Sequence, residues 1–183
     1  MLEIIGQTRL EASHEKLIAW LLHPLANHGL GPGVLASLLA RLDDDRMPLP
    51  EQLTRAHVRT QVVGASGRPD IVVTMSGARL VIELKIDAKE GIAQTSRQAD
   101  DYIGVPDVSF VFLTLGGSPP SDPRFKHLLL RDHLSQIPDP SHGGGERWGP
   151  WARWWYINLE PPDGNNDLLA YYAASTANQV TQF

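Results

Sequence analysis

Residues 68–85 read RPDIVVTMSGARLVIELK, and this stretch decides our interpretation of the chain. Two short apolar runs meet at Ser76-Gly77, which favours a two-residue β-hairpin. Asp70 and Glu83 are equally distant from that turn, so the register places them opposite each other on one face of the sheet. Lys85 follows Glu83 by two positions and shares its face. Opposed carboxylates repel unless a cation separates them, and the hairpin therefore indicates a divalent-metal site.

The other face of the hairpin supports the same register because it is entirely apolar. Its residues are Ile71, Val73 and Met75, opposite Ile82, Leu80 and Ala78. A slip of one residue would send Asp70 and Glu83 to opposite faces, so the pairing depends on the turn. The alternative interpretation is an exposed cross-strand charge cluster at the end of a sheet.

The bulk composition predicts one water-soluble domain. The chain has 183 residues, of which 42% are hydrophobic and 20% charged, and it contains no cysteine. This length suits a single domain, no apolar run is long enough for a membrane span, and the lack of thiols fits a cytoplasmic location. The net charge of −5 argues mildly against nucleic-acid binding. Such a substrate would need a local basic rim or metal ions held by carboxylates.

Apolar periodicity and turn residues divide the chain into alternating elements. In chain order they are helices within 7–42, interrupted at Pro24, a strand at 57–63, the hairpin, a helix at 87–103, a strand at 108–115, a helix at 125–137, a Gly/Pro-rich loop at 138–150, a strand at 154–159 and a helix at 167–177. This order predicts an α/β fold with a central mixed β-sheet flanked by α-helices. We expect one domain over 1–183, with its core at about 7–137 and an aromatic C-terminal segment at 151–183.

Arg68-Pro69-Asp70 and Glu83-Leu84-Lys85 resemble the signature of the PD-(D/E)XK nuclease superfamily, the restriction-endonuclease-like proteins. That signature is an acidic residue in one strand followed by (Asp/Glu)-X-Lys in the next. Three further segments look like one bacterial and phage branch: Glu11 and His14 with Ala19-Trp20-Leu21-Leu22, the pair Gln98 and Tyr102, and Phe125-Lys126-His127-Leu128-Leu129 with Arg131-Asp132. Glu15 and His23 depart from that branch, which more often has Ser and Asp there.

The resemblance implies a Mg²⁺-dependent nuclease, with Mn²⁺ as a substitute, that hydrolyses phosphodiester bonds in DNA for defence or DNA processing. RNA remains an alternative substrate. The implied metal ligands are Asp70, Glu83, the backbone carbonyl of Leu84, and Glu11 from the first helix. The implied catalytic residues are Glu11, Asp70, Glu83, Lys85 and Gln98. Lys85 would orient or deprotonate the attacking water, and Gln98 would be a polar orienter, with Gln94 as its alternative.

Several residues have a functional and a structural interpretation. The candidates for substrate binding are Arg68, His14, Gln94 and Tyr102. The alternatives are a surface arginine for Arg68, a solvated glutamine for Gln94 and a core or rim tyrosine for Tyr102. His14 would orient Glu11 or a phosphate, or is a boundary residue. The spacing between His14, His23 and His28 matches no compact zinc-binding motif, so we do not expect a zinc site there.

The segment at 148–156, WGPWARWWY, is unusually aromatic. Base stacking, core packing and a protein or homo-oligomer interface are all open uses for it. The alternative to an enzyme is therefore a catalytically silent module with the nuclease fold, which docks a protein partner through the aromatic C-terminal segment.

Overall fold

A computed structural model of the chain describes residues 11–27, 30–42, 48, 50–115 and 117–130. The loop expected at 138–150, the strand at 154–159, the helix at 167–177 and the whole aromatic segment lie outside these residues. Within them the chain forms three α-helices, one short 3-10 helix at Pro50–Arg55 and five strands. None of the helices in this part of the chain is both long and apolar enough to cross a membrane.

The α-helices are α1 (Glu11–Leu22), α2 (Gly33–Ala40) and α3 (Gln94–Asp100). The strands are β1 (His57–Thr60), β2 (Ile71–Thr74), β3 (Arg79–Lys85), β4 (Val108–Thr114) and β5 (Phe125–Leu129). They form one sheet in the order β1-β2-β3-β4-β5. The pairs β1–β2 and β2–β3 are antiparallel, whereas the pairs β3–β4 and β4–β5 are parallel. The expected α/β fold with a mixed sheet is confirmed.

The hairpin has the register expected from its turn. Ile71 pairs with Ile82 and Val73 with Leu80, and the backbones of Met75 and Ala78 hydrogen-bond to each other across the turn. Gly77 has a φ of 77°, a conformation that a residue without Cβ adopts at no steric cost. A two-residue turn leaves no freedom for a slip, so Asp70 and Glu83 are brought to the same end of the same face.

Helices cover both faces of the sheet and bury two apolar clusters. α1, α2 and the 3-10 helix pack on the face that carries Ile71, Val73, Leu80 and Ile82. α3 packs on the other face, where a smaller cluster contains Val81, Ala99, Phe112 and Phe125. Strands buried on both sides have continuous apolar sequences, as VSFVFLT in β4 shows.

Three of the expected elements differ in the structure, and the first is the strand expected over 57–63, which ends at Thr60. The predicted helix at 125–137 is wrong at its start, because Phe125–Leu129 forms β5 and pairs with β4. Phe125 and Leu128 lie in the clusters on opposite faces of the sheet, so the three-residue spacing that resembles a helix also suits a strand buried on both sides. The helix expected over 87–103 is confined to Gln94–Asp100. An irregular segment precedes it, and Ala93 at its N-cap is left-handed, with a φ of 48°.

Candidate functional site

The carboxylate of Asp70 lies beside the end of β3. The Leu84 backbone N–H donates to its Oδ2 at 2.8 Å. The Gln61 N–H donates to the Asp70 carbonyl at 2.8 Å, which fixes the backbone just before β2. Asp70 is therefore anchored to both neighbouring strand ends, with its side chain aimed along the face that α3 covers.

Glu83 is the most enclosed charged residue of the site, with none of its surface exposed. The ammonium of Lys85 donates to its Oε1 at 2.5 Å, and the Gln98 amide donates to its Oε2 at 2.6 Å. Gln94 also donates to Oε1. Donors from β3 and from α3 therefore satisfy both oxygens, which meets the requirement for burying a charge.

Burial and the nearby charge of Asp70 raise the pKa of Glu83 to about 7. Burial also raises the pKa of Asp70, against the Leu84 N–H and the charge of Lys85, which favour its ionised form. Burial opposes the charged form of Lys85, but the hydrogen bond and the charge of Glu83 outweigh it and raise the Lys85 pKa. Two crowded carboxylates with one ammonium form a site where a further positive charge would be stabilised.

Glu11 reaches this site from the first turn of α1. Its Oε1 accepts a hydrogen bond from the Ile86 N–H at 3.3 Å and lies 3.6 Å from the Lys85 ammonium. Its side chain is 34% exposed, whereas that of Lys85 is 11% exposed, so Glu11 lies on the solvent side of the lysine. Glu11 thus contacts the end of the hairpin through Lys85 and Ile86, and its implied role as a metal ligand stays a prediction.

Gln61 is a site residue that sequence reasoning missed. Its amide donates to Oδ1 of Asp70 at 3.2 Å and also to Oε2 of Glu15. Its φ of 51° turns the side chain back over the hairpin after β1 ends. Glu15 is buried, and burial is the main reason that its pKa is raised. The sequence shows that Glu15 stands where the resembling branch more often has Ser. No local pattern predicts that Gln61 hydrogen-bonds to both Glu15 and Asp70.

A loop from Gly64 to Arg68 is fixed against α3 at the side of the site. The Asp101 carboxylate accepts the N–H groups of Ser66 and Gly67, both at 2.8 Å. At Gly67 a Cβ would lie 2.7 Å from the Cγ and 3.0 Å from the Cα of Gln98, so only glycine fits without displacement. The loop and α3 form the two walls of an open cleft with a volume of about 380 Å³.

The remaining candidates are placed differently. Arg68 and Gln94 line this cleft. Gln94 and Gln98 both contact Glu83, so the two glutamines are partners and not alternatives. Tyr102 packs edge-on against Phe110, with the guanidinium of Arg79 above its ring.

Arg79 begins β3, so the contacts of Tyr102 lie at the opposite end of that strand from Lys85. These contacts agree with a tyrosine at the core or its rim. A contact between Tyr102 and the substrate stays a prediction. His14 is fully buried, so a position at the boundary between core and solvent is wrong for it. Its roles toward Glu11 and phosphate also stay predictions.

The donor set suits a hard divalent ion. Mg²⁺ prefers oxygen ligands and typically takes one or two carboxylates while it keeps several waters. Asp70 and Glu83 supply such oxygens, and the buried Oε1 of Gln98 beside them has no hydrogen-bond partner. In residues 11–27, 30–42, 48, 50–115 and 117–130, no three His, Asp or Glu side chains gather as a metal-binding group. The carboxylate pair therefore fits the ion, and Glu11 as a third ligand stays a prediction.

Comparison with known proteins adds one finding on the family. A model of the PD-(D/E)XK nuclease superfamily matches residues 1–149, which includes every residue of the site described above. No curated protein and no solved structure matches the chain.

Proposed function

Because the chain belongs to the PD-(D/E)XK nuclease superfamily, we propose that it is a Mg²⁺-dependent phosphodiesterase that cleaves DNA. The observation that carries the proposal is the buried Glu83, held by Lys85 and two glutamines beside a second carboxylate, Asp70. Folding gains little from such an arrangement, because burial raises the pKa of both acids and so opposes their charges. Acidic residues whose pKa is raised by burial and by a neighbouring charge are typical of functional sites.

Asp70 and Glu83 would hold the divalent ion, and the carbonyl of Leu84 and Glu11 are further candidate ligands. When bound, the ion would polarise a phosphodiester oxygen and activate a water. Manganese would substitute, since its preference for oxygen ligands is similar. The hydrogen bonds of Gln94 and Gln98 support the geometry, because they restrict both Glu83 oxygens to one orientation.

Lys85 would be the group that handles the proton of the attacking water or offsets the charge that develops on the phosphate. Its ammonium is tethered by Glu83 at 2.5 Å, and the Glu11 carboxylate lies 3.6 Å away on its solvent side. An acid on each side holds Lys85 protonated, as its raised pKa indicates. The geometry thus favours charge neutralisation over proton abstraction for Lys85.

A cleavage assay tests the proposal. The intact protein is incubated with linear duplex, circular duplex and single-stranded DNA, and with RNA, each with Mg²⁺, Mn²⁺ or EDTA. Asp70→Ala and Lys85→Ala are assayed beside it, and Asp87→Ala, an exposed acid just beyond β3, is the matched control. We expect metal-dependent cleavage of DNA that both site variants lose and the control keeps. Cleavage that is absent, or equal in all variants, would overturn the proposal and favour the silent module that docks a partner.

A further inference from the structure

We propose that the cleft between the Gly64–Arg68 loop and α3 binds the phosphodiester backbone of the substrate, with Arg68 and Arg97 as its phosphate contacts. The inference rests on the proposed function and deepens it. It identifies the surface along which the strand approaches the carboxylate pair, and it adds Arg97, a residue outside the catalytic set.

The cleft has a wall from each element. The loop residues from Gly64 to Arg68 form one side, and Gln94, Arg97 and Gln98 of α3 form the other. Its volume is about 380 Å³. This space is enough for a phosphate and part of its sugar, at the lower end of the range for binding pockets.

Both charged side chains that line the cleft are positive, in a chain whose net charge is −5, and the Asp101 carboxylate beside the cleft accepts the Ser66 and Gly67 N–H groups. Arg68 and Arg97 are both exposed. In the described part of the chain neither guanidinium has a carboxylate within ion-pair distance, whereas Arg124 is held by Asp100 and Asp122 at 2.8 and 2.7 Å. Guanidinium groups with free donors are the preferred phosphate ligands of proteins. The two cleft arginines therefore supply the local basic rim that an acidic nuclease needs.

The cleft borders the carboxylate pair through two shared side chains. Gln94 and Gln98 line it, and the same two side chains donate to the carboxylate of Glu83. A phosphate held between the arginines would thus be separated from Glu83 by a single layer of glutamine side chains.

The walls of the cleft are held in place before any substrate binds. Asp101 accepts hydrogen bonds from the backbone of Ser66 and Gly67, and Gly67 packs directly on the backbone of Gln98. A preformed site avoids the entropy cost of ordering a loop on binding. The backbone positions from which Arg68 and Arg97 extend are consequently fixed by the fold.

Salt-dependent DNA binding tests the inference. Fluorescence anisotropy is measured with a fluorescein-labelled DNA duplex in EDTA, where the probe is not cleaved, for the intact protein, Arg68→Gln, Arg97→Gln and the double variant. Arg55→Gln is the matched control, since Arg55 is exposed on the 3-10 helix and does not line the cleft. Each lost phosphate contact lowers the slope of log K against log salt by about 0.9. We expect that decrease in each single variant, about twice as much in the double variant, a roughly tenfold weaker Kd per arginine, and no change in the control.

The Arg97 guanidinium also donates a hydrogen bond to the Ile92 carbonyl, so its loss could act through local structure. Arg97→Lys keeps the positive charge but not the guanidinium, and therefore distinguishes a phosphate contact from this structural role. A lysine that keeps the salt slope supports a phosphate contact, and one that loses it as fully as glutamine overturns the inference. If the intact protein cleaves DNA while Arg97→Gln keeps the KM and slope of the control, the inference fails and the proposed function stands. If no metal supports cleavage but the cleft variants still lose slope, the proposed function fails and only the assignment of the cleft as a binding site for a DNA backbone stands.

Discussion

Gly67→Ala is expected to destabilise the protein and to weaken the site at the same time. The added Cβ would lie 2.7 Å from the Cγ, 3.0 Å from the Cα and 3.1 Å from the N of Gln98. The first contact can be relieved by a side-chain shift, but the other two are with the backbone of α3. Gly67 has no positive φ, so alanine suits its backbone and the effect arises from contact alone.

Overpacking of this kind costs about 1–3 kcal/mol. For a chain of this size that corresponds to a decrease in Tm of roughly 2–12 °C. Relief of the clash must also move Gln98, whose amide donates to Glu83 at 2.6 Å, so metal-dependent cleavage should decrease as well. The free energy of unfolding is measured by urea denaturation, and cleavage is assayed below the unfolding transition.

Gly117→Ala is the matched control, because its nearest neighbour would be 3.7 Å away, which is ordinary contact. It should leave both stability and cleavage within error of the intact protein. If Gly67→Ala is as stable and active as this control, the close approach of loop and helix is absent in solution. Our description of the cleft and of the support for Gln98 would then be refuted.

Three further predictions concern parts of the structure outside the loop. The hydrogen bonds of Arg124 lower the pKa of Asp122 to about 2, so the ionised form stabilises the fold above its ordinary value of 3.8 and this contribution is lost as the pH falls through about 2. Asp122→Asn should therefore lower the free energy of unfolding by about 1–2 kcal/mol near neutral pH and by much less near pH 2. Urea denaturation at the two pH values measures this, and an equal loss at both would contradict the prediction. Gln61→Gly suits the φ of 51° but removes the amide that contacts Asp70 and Glu15, so cleavage assayed below the unfolding transition should decrease several-fold. Unchanged kinetics would show that Gln61 does not position Asp70. Phe112→Ala should cost about 3–5 kcal/mol in urea unfolding, because this ring is 2% exposed between the sheet and α3, and a cost under about 1 kcal/mol would show that the cluster is not packed there.

The hairpin could be predicted from the sequence because its determinants are local. A short turn at Ser76-Gly77 and strict alternation of apolar residues leave one register, and that register brings Asp70 and Glu83 together. The family resemblance then supplied Glu11 and Gln98 from two helices, and both contact the hairpin.

The rest depends on tertiary contacts that no local pattern encodes. Phe125–Leu129 has the spacing of a helix, and pairing with β4 makes it a strand. Gln61 reaches Asp70 because the chain is left-handed there, a conformation that glutamine rarely adopts. The role of Gly67 depends on its distance to Gln98, a residue far along the chain, and it cannot be read from a turn pattern.

The central claim is that Asp70 and Glu83 hold a divalent ion, and calorimetric titration with Mn²⁺ tests it most directly. Glu83→Gln preserves the shape of the buried side chain and removes its charge, while Glu90→Gln changes a carboxylate outside the site that accepts hydrogen bonds from Thr95 and Ser121. We predict that the intact protein and Glu90→Gln bind Mn²⁺ and that Glu83→Gln and Asp70→Asn do not. Equal binding by all four proteins, or no binding by the intact protein, would contradict the account.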